Sequence, residues 1–163
     1  MSDHVTIRSY SAADRKAVLT LAIAAWQPVF DAMKGSVLPY VYEAFYPHGW
    51  EQRQRADIAA FLDAAHDATW IAECRGTAAG FVGITLHPED RMGEITVIAV
   101  DPAFQRMGIA DRLMTWAEER IREAGMVMVM VETGGDPGHA AARAAYEAHG
   151  FQRWPVARYF KPL

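Results

Sequence analysis

At 163 residues, 52% apolar and 22% charged, the chain has the length of one domain, with a core large enough to do without disulfides or a structural metal. Sixteen basic against twenty acidic side chains leave a net charge of −4, and no Lys/Arg cluster interleaves with aromatics, which excludes a nucleic-acid surface. The lone Cys74 excludes a disulfide and a four-cysteine zinc site; with no leader at Met1-Ser-Asp-His-Val and no apolar run near the ~20 residues a bilayer needs, the expectation is a cytoplasmic protein with no membrane partner.

Val5 to Tyr10 alternates as a strand does, and Ser11 or Asp14 then caps an alanine-rich helix that runs toward Trp26 and is expected to stop at Pro28. Residues 33–50 are dense in Pro and aromatics. Glu51 to Ala65 places Ile58, Phe61 and Leu62 on one face of an amphipathic helix. Thr69 to Cys74 and Thr77 to Leu86, joined at Arg75-Gly76, form a predicted antiparallel hairpin. Glu94 to Asp101 is apolar on both faces apart from Thr96, so it belongs in the middle of a sheet, and Pro102 ends it.

Ile109, Leu113, Ala117 and Ile121 recur at helical spacing up to Gly125, and Met126 to Val131 follows as a second strand apolar on both faces. A helix between two such strands implies parallel pairing. Asp136 as N-cap and Pro137 at the first position start a last helix through Ala142, Ala145 and Tyr146 to Gly150. Phe151 to Phe160 is read as a final strand. The fold class is α/β with a mixed sheet: antiparallel N-terminal strands, then a parallel β-α-β unit, flanked by helices.

Chemistry concentrates where a central strand runs through a short loop into a helix, over Val97-Ile-Ala-Val-Asp-Pro-Ala-Phe-Gln-Arg-Met-Gly-Ile-Ala. The first turn of a helix carries unpaired N–H groups and partial positive charge, so a loop exposing them can cradle a diphosphate. Gly108 has no side chain to hold the backbone away, and Arg106 adds charge from the rim. Neither G-x-x-x-x-G-K-[ST] nor G-x-G-x-x-G is present, which excludes a Walker loop and a dinucleotide fingerprint.

Gln105-Arg-Met-Gly-Ile-Ala resembles the Q/R-x-x-G-x-G/A loop of the GNAT superfamily of acyl-CoA-dependent N-acyltransferases. Val97-Ile-Ala-Val-Asp-Pro stands before it, and Tyr146-Glu-Ala-His-Gly-Phe151 is similar to that family's Y-E-x-x-G-F ending. The resemblance spans about Thr69 to Phe160. It implies a GNAT-like fold in which the two core strands splay, and acetyl-CoA as co-substrate, with pantetheine beside Ile98, Ala99 and Val100. The diphosphate would lie on the amides of Arg106, Met107, Gly108, Ile109, Ala110 and Asp111, next to Gln105, with His139 at the place of a cofactor-contacting asparagine. A primary amine, from a small molecule or a peptide, then attacks the thioester directly, and Tyr146 meets the departing thiolate.

Glu94 and Glu132, at the ends of the two parallel strands, are the candidate bases, with no choice between them. A base matters most for a lysine-like amine, whose deprotonation at pH 7 costs roughly 4–5 kcal/mol, against about 1 kcal/mol for an α-amino group. The aromatics from Trp26 through Phe30 and Tyr46 are either packing over the sheet or a wall of the acceptor site. Asp111 is an awkward neighbour for a diphosphate unless its side chain points away.

His139 and His149 lack metal-ligand spacing and are read as surface or capping residues, so no metal is expected. Cys74 is read as inert core. An N-terminal peptide acetyltransferase, a CoA-binding sensor without turnover and a bare interaction domain are the alternatives. A homodimer is left open.

Overall fold

The sheet is built around one tight hairpin. Arg75 and Gly76 both take positive φ, 53° and 74°, the two-residue turn that matches strand twist, joining β2 (Thr69–Cys74) to β3 (Thr77–His87). β1 (Val5–Ser9) pairs antiparallel with β2, from Val5 opposite Cys74 to Ser9 opposite Trp70. β4 (Met92–Val100) pairs antiparallel with β3, and β5 (Met128–Val131) lies parallel to β4. The strand order is thus β1-β2-β3-β4-β5. The computed structural model describes residues 4–163; Met1 to Asp3, part of the stretch read for a leader, lie outside them.

Helices cover both faces. On one, α1 (Arg15–Met33) and α3 (Trp50–Ala64) bury Val18, Leu21, Ala22, Ile58 and Leu62 against Ile71, Phe81 and Ala99, with the short α2 (Pro39–Phe45) between them in sequence. On the other, α4 (Ile109–Glu123) buries Ile109, Leu113, Met114, Ala117 and Ile121 against Val82, Ile84 and Ile95. Burial of each such leucine or isoleucine contributes about 1.5–3 kcal/mol. α5 (Ala140–Ala148) follows a 3-10 turn at Pro137–His139 that Asp136 caps through the Gly138 N–H. Cys74 is fully buried.

Three expectations need correction. Pro28 does not stop α1, which runs five residues further to Met33. Pro28 sits on the exposed side, where the freed carbonyl one turn earlier reaches water, and buried Leu21 and Ala22 before it and Phe30 and Met33 after it hold the helix down.

Residues 151–160 form no strand. Pro155 removes a donor from the middle of that stretch and restricts Trp154 before it. The segment instead rests on side-chain contacts: Phe151 edge-on to Tyr146, and Phe160 edge-on to Phe45. Consequently β5 is the sheet edge rather than a doubly covered strand, and Val127 and Met128 are 62% and 50% exposed.

Candidate active site

β4 determines the shape of the site. Its pairing with β5 runs from Met92 opposite Met128 to Ile95 opposite Val131 and ends there. Its pairing with β3 continues to Val100 opposite Gly80. From Val97 to Val100, then, β4 keeps one neighbour and has lost the other, and the two parallel strands part.

A bulge lies at the parting. Gly83 faces Val97 while Ile84 faces Ile95, so Thr96 is an extra residue on β4. The extra residue reverses which side chains face which helix. Gly93 and Ile95 point toward α4, since a methyl on Gly93 would sit 2.4 Å from Ile121 and Ile95 joins the α4 cluster. Beyond the bulge Val97 and Ala99 pack toward α1 and α3, while Ile98 and Val100 turn to α4.

At its far end β4 feeds the loop. Asp101 accepts from the Ala103 N–H at 2.8 Å and caps a 3-10 turn over Pro102–Phe104. The Gln105 side chain reaches back to the Val100 carbonyl at 3.5 Å. Arg106 and Gly108 then take left-handed conformations, φ 64° and 74°, and Gly108 is the N-cap of α4. Ile109 and Leu113, both buried, root this first turn on the sheet.

Among the described residues, none of the backbone N–H groups of residues 106 to 111 has an acceptor; the first that does is Arg112, bonded to the Gly108 carbonyl at 3.1 Å. Arg106 is exposed beside them and makes no ion pair with a described residue. A row of unpaired amides at a helix start, with a guanidinium at the rim, suits an anionic group.

α5 and the turn before it bridge α1 and α4. The turn lies against α1, where a methyl on Gly138 would meet the Val29 carbonyl oxygen at 2.3 Å. The helix end lies against α4, where His149 bonds Asp111 and Glu118 at 2.6 and 3.0 Å. His139 is tied to Asp136 at 2.7 Å, and Arg143 donates to the carbonyls of Gly134 and Asp136, so the loop after β5 is held to the helix that follows. Tyr146 packs among the α4-side residues, 6.0 Å from the Phe151 ring. Burial pushes its phenol above the usual value of 10, so it keeps its proton at neutral pH.

The two acidic candidates differ. Glu94 lies one residue before the parting, on the α1 and α3 side, and accepts a 2.7 Å hydrogen bond from His87. That bond, aided by the charges of Glu94, Glu89 and Asp90 and opposed by desolvation, raises the His87 pKa above 6.5. Glu132 lies past the last paired residue with its side chain 68% exposed, 3.7 Å from Arg158.

On the same face Phe30 is buried, stacked on Trp50 at 4.5 Å and edge-on to Tyr46 at 5.3 Å, and Trp26 packs on the α1-side core. Tyr46 is half-buried, and burial raises its phenol pKa. The structure places Glu94 on β4 just before the parting, the loop amides at the far end of the same strand, and Tyr146 on α5 against the α4-side core. Phe30 is buried in the ring cluster, and Trp26 is half-buried against the α1-side core. Sequence reasoning passed over His87, whose only signal is its position diagonal to Glu94 across the β3-β4 pair.

The Acetyltransferase (GNAT) family model matches residues 38–151. The chain belongs to that family. Mycothiol acetyltransferase of Thermomonospora curvata is 33% identical over 87 residues, which is 53% of this chain and 28% of that protein. This GNAT chain thus spans well under half the length of the curated relatives it matches.

The ribosomal-protein-S18-alanine N-acetyltransferase of Escherichia coli superposes with a TM-score of 0.66 at 19% identity, over 98% of this chain and 85% of that one. A GNAT family acetyltransferase from Brucella melitensis, in complex with acetyl-CoA, gives 0.62 at 18% identity, over 93% and 84%. At these identities the likeness is one of fold.

Proposed function

We propose that this GNAT protein transfers an acetyl group from acetyl-CoA to a primary amine by direct attack within a ternary complex. The observation that carries this is the junction itself: parted β4 and β5 strands that lead to unpaired amides at residues 106 to 111. A diphosphate on those amides places the pantetheine arm beside Ile98 to Val100, where the β4 backbone lacks a β5 partner. The thioester then reaches the bulge at Thr96, near Glu94. Holding thioester and amine together converts a bimolecular encounter into an oriented one, and a β4 amide polarises the carbonyl.

Glu94 is the better base of the two acidic candidates. It sits at the parting and is paired with His87, whereas Glu132 is solvated beside Arg158. Together Glu94 and His87 take the amine proton, through water, as nitrogen attacks the carbonyl carbon. The C–S bond then breaks with its electron pair on sulfur, and Tyr146, kept protonated by burial, supplies the proton. The acceptor is a small amine or a peptide amine; Tyr46 and the surrounding rings stand on the α1 side of the opening, and aromatic faces suit a cationic amine.

Acetyl-CoA consumption against a panel of amines and peptides tests this. Turnover on at least one acceptor is expected, with Tyr146→Phe lowering kcat by about 10²-fold, the usual size of a lost general acid, and leaving the affinity for CoA nearly intact. Loss of CoA binding with no effect on kcat would remove Tyr146 from the chemistry. Absence of turnover on every acceptor would favour a CoA-binding module without catalysis.

A further inference from the structure

Asp111 occupies the third position of α4, counting from Ile109 after the Gly108 N-cap. An acidic side chain at that position can fold back to accept the N–H of the N-cap residue, as in one half of a capping box. Here it does not: its Oδ1 lies 2.6 Å from His149 Nδ1, at the end of α5, and the Gly108 N–H is left without an acceptor among the described residues. His149 is well placed to hold it. Its side chain is only 9% exposed, its other nitrogen meets Glu118 Oε1 at 3.0 Å, and its ring lies 6.0 Å from that of Phe151, nearly parallel to it. Both ring nitrogens thus face carboxylate oxygens of α4.

We propose that His149 is a positioning residue that keeps Asp111 from capping its own helix, and so keeps the Gly108 and neighbouring amides open for the diphosphate of CoA. Without it, Asp111 swings back as an internal anion that takes the same donors and repels the same charge. The role deepens the CoA reading given above and rests on it.

A double-mutant cycle read by calorimetric titration with CoA separates this from mere structural support. His149→Ala is expected to weaken CoA binding about tenfold, or about 1.4 kcal/mol, in the parent and to have no effect when Asp111 is already Ala. Equal weakening in both backgrounds would overturn the proposal, because His149 would then act by holding α5 or by touching the ligand. Should His149→Ala fail to fold, the same cycle with His149→Gln, which cannot reach both carboxylates, carries the same two outcomes. A parent protein that binds no CoA sinks the underlying reading as well, whereas a parent that binds CoA with no dependence on Asp111 sinks only the role of His149.

Discussion

Gly108→Glu is expected to weaken CoA binding by more than about a hundredfold while the protein stays folded. The residue has φ 74°, and a methyl group built on it meets nothing within 4 Å, so no packing is lost. The cost to the fold is the left-handed backbone, roughly 1–2 kcal/mol for a residue with a side chain. The cost to the ligand is larger. A carboxylate placed on the amides of residues 106 to 111 competes for donors whose bonds to a charged group are each worth about 1.5–3 kcal/mol, and losing two of them exceeds two decades of affinity. Gly108→Asn, which tolerates the same backbone without a charge, should lose far less. Calorimetry showing similar CoA affinity for the Glu variant and the parent would contradict a diphosphate at this loop.

Glu94→Gln should lower kcat on an alkyl amine by about 10²–10³-fold, within the range for a general base. The effect on an α-amino acceptor should be smaller, because deprotonating it costs about 1 kcal/mol rather than roughly 4–5. The same substitution removes the chief cause of the raised His87 pKa, so the His87 titration followed by NMR should fall back toward 6.5. Its sign for stability follows. A histidine whose folded pKa exceeds its unfolded value stabilises the fold fully below the unfolded pKa, and that contribution is lost as pH rises through the folded one. Glu94→Gln therefore destabilises more at pH about 5.5 than at pH about 8.5, as thermal melts at the two values would read. Equal destabilisation at both would mean that the pair does not form in solution.

Much of this architecture is legible in local sequence because local rules decide it. The hairpin at Arg75-Gly76, the helical spacing of Ile109, Leu113, Ala117 and Ile121, and the glycine that starts α4 each rest on neighbouring residues alone. The parting of β4 from β5 came instead from resemblance. What escaped depends on partners distant in sequence. The bulge at Thr96 is a matter of register between β3 and β4 and has no signature within β4. The His87–Glu94 bond needs that register, and the His149–Asp111 bond needs α5 to end against α4.

Two local rules also misled. Pro28 was outweighed by burial on both sides of it, and the strand expected over residues 151–160 was defeated by the missing donor at Pro155. The candidate rings divided for a similar reason: periodicity cannot tell a ring that packs, as Phe30 does, from one that faces an opening.

Amide-resolved NMR titration of the parent protein with CoA bears most directly on the account. The largest shifts should fall on two short runs, Ile98 to Val100, where β4 has no β5 partner, and Arg106 to Asp111, whose amides have no acceptor among the described residues. Shifts confined to other elements, or none at saturating CoA, would contradict it.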